Sequence, residues 1–165
     1  MTGVRDVPDH RYGGATALVE LHEKHLRSFL DVWREARERG VALPATEDGD
    51  CAALDALLHH VLSCARGYLT WCCEVLALDD PGIPPYPDGA APDEVLADWT
   101  ETLLDRWRDS PLREVEEERF YRPTHRSRWK VRYCVDAMLE HAVMHPIRHE
   151  RQLRRILSAA PSAGA

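Results

Sequence analysis

No apolar run in this sequence approaches the roughly 18 residues that a membrane span requires, and Met1 to Arg11 holds no apolar core of a secretory leader. A soluble, cytoplasmic protein without a membrane partner is the expectation. Basic residues are outnumbered, with 21 Lys and Arg against 28 Asp and Glu and a formal net charge of −7. That balance argues against nucleic acid as a partner, since such proteins normally carry a basic face. Local charge runs exist, Glu114 to Glu118 on one side and Arg148 to Arg155 on the other, and both read as solvated surface. No CxxC zinc pattern occurs among the five cysteines Cys51, Cys64, Cys72, Cys73 and Cys134. Their odd number leaves at least one unpaired, and a cytosol keeps thiols reduced. Lysine is scarce beside arginine, a usage that hints at a GC-rich genome. Internal repeats, low-complexity stretches and a strand pattern are all lacking.

What is present is ordinary globular material, 44% hydrophobic and 30% charged over 165 residues. Such a chain suits one domain with one core. The expected domain is 1–165, with 1–14 and 158–165 as flexible termini. Helical periodicity marks four stretches. The first runs from about Ala15 to Arg39, with Leu18, Leu21, Phe29, Val32 and Ala36 as its inward stripe. The second opens near Asp50, read as its N-cap, and continues to about Leu78. The proline-rich segment from Asp80 to Pro92 excludes helix. Pro92 then starts a third helix that reaches about Arg108, with Leu96, Trp99, Leu103 and Trp107 inward. Residues 109–129 begin with helical character around Glu114 to Glu118 and become an irregular, arginine-rich connection. The fourth helix runs from about Val131 to Leu157. Four long amphipathic helices joined by long loops make an all-α, four-helix bundle the expected fold.

Nine histidines are many for this length, and their placement is informative. His141, His145 and His149 recur every four residues on the fourth helix, on one face with Cys134, Met138, Gln152 and Ile156. The apolar members turn that face inward, where a histidine is costly without a partner. One ion cannot take all three, because His141 and His149 lie about 12 Å apart along the axis. An i, i+4 pair can chelate, so the pair is His141 with His145 or His145 with His149. A third ligand must come from another helix. His60 shares its face with Ala53, Ala56, Leu57, Cys64 and Trp71 and is assigned inward, whereas His59 falls toward the edge.

The run Leu57-Leu58-His59-His60-Val61 followed by Arg66-Gly67-Tyr68-Leu69 resembles the second-helix pattern of the DinB/YfiT-like superfamily, and Met144 to Leu153 resembles its fourth-helix pattern, H-x-x-x-H-R-x-Q. The resemblance covers nearly the whole chain. It implies His60, His145 and His149 as ligands of a divalent metal ion, with Zn2+ first and Ni, Fe, Co or Mn as alternatives. Glu150 and Arg151 depart from the family pattern, and Pro146 interrupts the helix between two of these ligands. Pro146 should kink the helix, freeing the Ala142 carbonyl to accept a ligand histidine's outer N–H.

Each residue has a plainer reading. His60, His145 and His149 would otherwise be core histidines bonded to carboxylate or water. His141 and Gln152 read as lining the pocket or bonded behind the ligands. Cys64 is a small buried residue or a fourth ligand. His25 lies on the first helix's apolar stripe, with His22 one turn away, as a packed or rim histidine or a pocket wall.

Three imidazoles leave an ion an open position, the layout of a catalytic site rather than a structural one. Such an ion lowers the pKa of bound water to about 7 or binds and deprotonates a thiol. The resemblance implies the second use, a thiol-dependent transferase with a low-molecular-weight thiol and a small electrophile as partners. The arginine-rich usage leans toward mycothiol. A metal-dependent amidase-like hydrolase is the alternative, weakened by the lack of a general base on the ligand stripe. A non-catalytic metal-binding stress-response protein is the third reading. A homodimer is the oligomer considered.

Overall fold

The computed structural model describes residues 6–87 and 92–159. These are mostly helical: α1 (Gly13–Glu38), α2 (Leu54–Val75), α3 (Asp93–Arg108), α4 (Glu118–Tyr121) and α5 (Val135–Ala159), with 3-10 turns at Gly49–Cys51 and Pro111–Glu114. No described helix is long and apolar enough to cross a membrane. The one departure from helix is a small hairpin, β1 (His125–Arg126) against β2 (Arg132–Tyr133), with His125 opposite Tyr133. That hairpin corrects the expectation of no strand. It is too short for an alternating pattern to show, and Ser127 closes its loop through the amide of Val131.

Local backbone chemistry sets the helix ends. At the end of α1, Gly40 adopts φ +61°, and the Val41 amide reaches back to the Ala36 carbonyl while that of Gly40 reaches Arg37. This left-handed cap satisfies carbonyls that the helix leaves without partners. The same arrangement ends α2, where Ala77 takes φ 52° and the Leu78 amide bonds to the Cys73 carbonyl. The helix therefore stops at Val75 rather than near Leu78. An alanine in the left-handed region gives no warning in the sequence, because its side chain normally disfavours that conformation. The start of α2 also differs: the helix opens at Leu54, and Asp50 belongs to the preceding 3-10 turn instead of capping it.

The core is built from α1, α2, α3 and α5, with the broadest packing between α1 and α5. Leu26, Phe29, Leu57, Leu69, Leu103, and Leu139 are among its fully buried side chains, each contributing about 1.5–3 kcal/mol through removal from water. On α3, Trp99, Leu103 and Trp107 face inward as expected. Leu21 does not, because it stands exposed at 40% while Val19, His22 and Leu26 take the inward positions on α1. Indole donors tie the helices together, Trp33 to the Leu54 carbonyl at 2.8 Å and Trp107 to the Ala65 carbonyl at 3.1 Å.

A buried ion pair crosses the same core. Glu23, 1% exposed, accepts from Arg108, 5% exposed, through both carboxylate oxygens. Arg27 donates to Glu23 at 2.8 Å and spans on to Glu101. Residues 1–5 and 160–165, the outer parts of the two flexible termini expected, lie outside the described residues, as do 88–91 of the proline-rich segment. The inner part of the first terminus is packed, with Val7 and His10 buried.

Candidate metal centre

Helical spacing on two elements brings the site together. On α2, His60 and Cys64 stand one turn apart, and on α5 the same interval separates His141, His145 and His149. Because α2 and α5 pack against one another, these two stripes meet. Helix α5 runs through Pro146 as one element, with the proline ring buried beside His145.

The closest approach is between His60 and His145, whose Nε2 atoms lie 3.0 Å apart. The ring of His149 lies 4.8 Å from that of His145 and 5.3 Å from that of His60, centroid to centroid. Cys64 joins from the His60 side: His60, Cys64 and His145 each offer a ligand atom within 4.8 Å of the others. His149, the third ligand that the resemblance implies, stands beside both rings but is not part of that close group, in which Cys64 takes the third place. Two Zn–N bonds of about 2.0–2.1 Å at a tetrahedral angle place their nitrogens roughly 3.3–3.4 Å apart. The observed separation is within a small ring movement of that value, so these residues fit such an ion.

Flanking groups orient the imidazoles. Asp50 Oδ2 lies 3.1 Å from His60 Nδ1 and accepts its proton, which leaves the Nε2 lone pair facing His145. Gln152 Oε1 stands 3.2 Å from Nδ1 of His149 and holds that ring in the same tautomer. A partner on the outer nitrogen that leaves the inner one free is the arrangement found behind ligating histidines. Burial pushes His145 down to about 3, helped by the neighbouring His149 and His60, and burial lowers His149 as well. Both rings are therefore neutral near pH 7, the form that binds metal. Burial raises the Cys64 thiol, while Tyr68 bonds to it and opposes that shift.

His141 stands apart from this cluster. Its ring is 6.4 Å from that of His145 and is enclosed by aromatic rings: Trp129 stacked at 5.6 Å, Tyr68 at 5.3 Å and Tyr133 at 5.8 Å. His25 is half-buried on α1 and does not line the site. The core histidine of that helix is His22, 1% exposed, which packs on Trp107 at 4.2 Å.

Beside the centre lies a cavity of about 290 Å³ whose lining includes Asp50, His60, Cys64, Tyr68, Trp71 and Trp129. A hollow of about 420 Å³ between α1 and α3 is larger but contains no histidine or cysteine, so it offers no comparable chemistry. Two contributors were hidden from sequence reasoning. Asp50 looks like a helix cap by residue type, and Trp129 lies in a stretch without periodicity; only the turn before α2 and the hairpin carry them to the site. No family model, no curated protein and no solved structure matches this chain.

Proposed function

We propose that this chain is a metal-dependent thiol transferase of the DinB/YfiT-like type, a four-helix bundle in which His60, His145 and His149 hold one divalent ion beside a small cavity. The observation that carries the reading is the 3.0 Å approach of the His60 and His145 Nε2 atoms, with the third imidazole against both rings. A donor set dominated by neutral imidazole suits Zn2+ first, and Ni2+, Fe2+, Co2+ or Mn2+ after it. An ion held by three such nitrogens keeps its full charge and would hold a small thiol in its thiolate form near pH 7.

The chain's own residues do the remaining work. Asp50 and Gln152 fix the ring tautomers. Tyr68, Trp71 and Trp129 wall the cavity with apolar surface and restrict water around the nucleophile. The cavity admits the small electrophile. The thiol proton leaves to solvent, the sulfur forms the new bond to carbon, and the leaving group departs with its electron pair. The five free cysteines suit a reducing cytosol, where such thiols are abundant.

The test begins with metal analysis of protein purified without added metal, which should show one divalent ion per chain. The Co2+ form is then titrated with mycothiol, bacillithiol, glutathione and cysteine. Sulfur ligation should bring up charge-transfer absorption in the near ultraviolet with at least one of them. A hydrolase is the second reading, favoured by one observation: Asp50 lines the cavity and supplies a carboxylate that the histidine stripe of α5 lacks. An unchanged cobalt spectrum with all four thiols, together with thiol-independent cleavage of amides, would replace the transferase by the hydrolase. Stoichiometric metal with neither activity would leave a metal-binding protein without turnover.

A further inference from the structure

Helix α2 carries a glycine at its centre, Gly67, in a position where glycine costs about 1 kcal/mol relative to alanine. Close packing does not require it. A Cβ built on Gly67 meets no atom within 4 Å, and its φ lies outside the left-handed range. The space that its missing side chain leaves belongs to the cavity beside the histidines. This glycine keeps volume open where a side chain would otherwise stand.

The rest of that cavity defines what the volume accepts. Tyr68, Trp71 and Met138 are buried apolar walls, and Trp129 closes the rim at 46% exposure, its ring edge-on to Tyr68 at 6.4 Å. Arg128, beside it in the hairpin loop, also lines the cavity and has no acidic partner among the described residues. Among the described residues the one carboxylate of the lining, Asp50, is turned to His60. A volume of about 290 Å³ lies at the small end of ligand pockets, enough for a single ring with a short substituent.

From the open face of Gly67, the aromatic walls and the unpaired guanidinium, we infer that this cavity binds a small aromatic carboxylate, its ring against Trp71, Tyr68 and Trp129 and its carboxylate on Arg128. An arginine fork matches a carboxylate in two parallel hydrogen bonds, and aromatic rings prefer edge and offset contacts. The inference goes beyond the metal reading and holds with or without an ion at His60.

The experiment measures binding of benzoate, benzamide and acetate to the full chain by calorimetry, in Zn2+-loaded and chelator-stripped forms. Benzoate should bind both forms, at least about tenfold more tightly than its neutral isostere benzamide, as expected for a charge-assisted pair. Acetate, which lacks the ring, should bind at least tenfold more weakly than benzoate. Arg128→Gln should bring benzoate down to the level of benzamide and leave benzamide unchanged. Gly67→Val should abolish binding of both ring compounds while thermal melting confirms a folded chain; if it melts early, Gly67→Ala, which favours helix, takes its place and should weaken both. Benzoate binding no tighter than benzamide overturns the inference, as does binding that survives Arg128→Gln. Binding confined to the zinc form overturns it too, since the carboxylate would then sit on the ion. Failure of the protein to take up any metal would sink the transferase reading alone and leave the arginine-dependent binding in place.

Discussion

His60 and His145 are 85 residues apart in the chain, and their Nε2 atoms lie 3.0 Å apart in the fold. With the His60 Nδ1 proton held by Asp50, its Nε2 presents a lone pair to its neighbour. His145 is buried and neutral, so the two rings share either a single proton or a cation between them. Either occupant explains the approach. The Cys64 sulfur offers a third donor within 4.8 Å of ligand atoms of both rings, which a shared proton would not require.

The donor set can be resolved by substitution. His60→Ala and His145→Ala should each weaken Zn2+ binding by at least about a hundredfold in competition with a chromophoric chelator, since each removes one of few ligands. His149→Ala should act likewise, whereas Cys64→Ser and His141→Ala should change affinity by less than about tenfold. A large loss with Cys64→Ser and a small one with His149→Ala would exchange the third ligand. A large loss with His141→Ala and none with His149→Ala would shift the pair up one turn of α5.

Asp50 should matter without touching the ion. Asp50→Asn keeps the shape but weakens the acceptor for the His60 Nδ1 proton, and partners of this kind contribute about 10–100-fold in metal affinity. Zinc affinity should fall within that range while the melting temperature of the metal-free chain stays within a few degrees. An unchanged affinity would show that the carboxylate does not orient the imidazole.

Acid should destabilise the metal-free protein through His22. Both of its ring nitrogens are buried without hydrogen-bond partners among the described residues, and burial lowers its pKa to about 3 from 6.5. Below pH 6.5 the unfolded chain takes up a proton that the folded one refuses. Stability is therefore full above pH 6.5 and falls as pH drops toward 3. At pH 5 this amounts to about 2 kcal/mol for one such histidine. His22→Phe keeps a ring against Trp107 and removes the titration, so denaturant melts of this variant should fall less steeply between pH 6.5 and 4. Parallel pH curves for the two proteins would refute the assignment.

The Glu23–Arg108 pair should be costly to break and cheaper to replace. Arg108→Ala leaves a buried carboxylate with Arg27 as its remaining cation, and uncompensated buried charge costs about 3–5 kcal/mol. The double replacement Glu23→Leu with Arg108→Met removes both charges and should recover much of that loss in urea melts. A double variant that is less stable than Arg108→Ala alone would count against this account.

Much of the architecture was legible because it is local. Proline at 92, glycine at 40 and repeated apolar spacing mark α1, α3 and α5 to within a few residues, since caps and helical periodicity act over a single turn. The end of α2 escaped notice because Ala77 adopts a left-handed conformation that residue type does not announce. On α1, Phe29, Val32 and Ala36 of the expected stripe are buried, but Leu21 and His25 fall outside the buried face, since packing against α3 and α5 placed His22 and Glu23 inside. A polar pair can occupy the core when a partner such as Arg108 or Trp107 faces it, and that partner lies too far along the chain for periodicity to find.

The sequence by itself determined which side chains share a helical face: His60 with Cys64, and His141 with His145 and His149. Spacing of four residues on a helix has one geometric outcome. Only the tertiary structure decided which members of those stripes meet. The crossing of α2 and α5 sets His60 against His145, encloses His141 in aromatic rings, and brings in Asp50 from a turn and Trp129 from a hairpin. Those relations depend on how separate elements pack, and no local pattern encodes the depth or angle at which two helices cross.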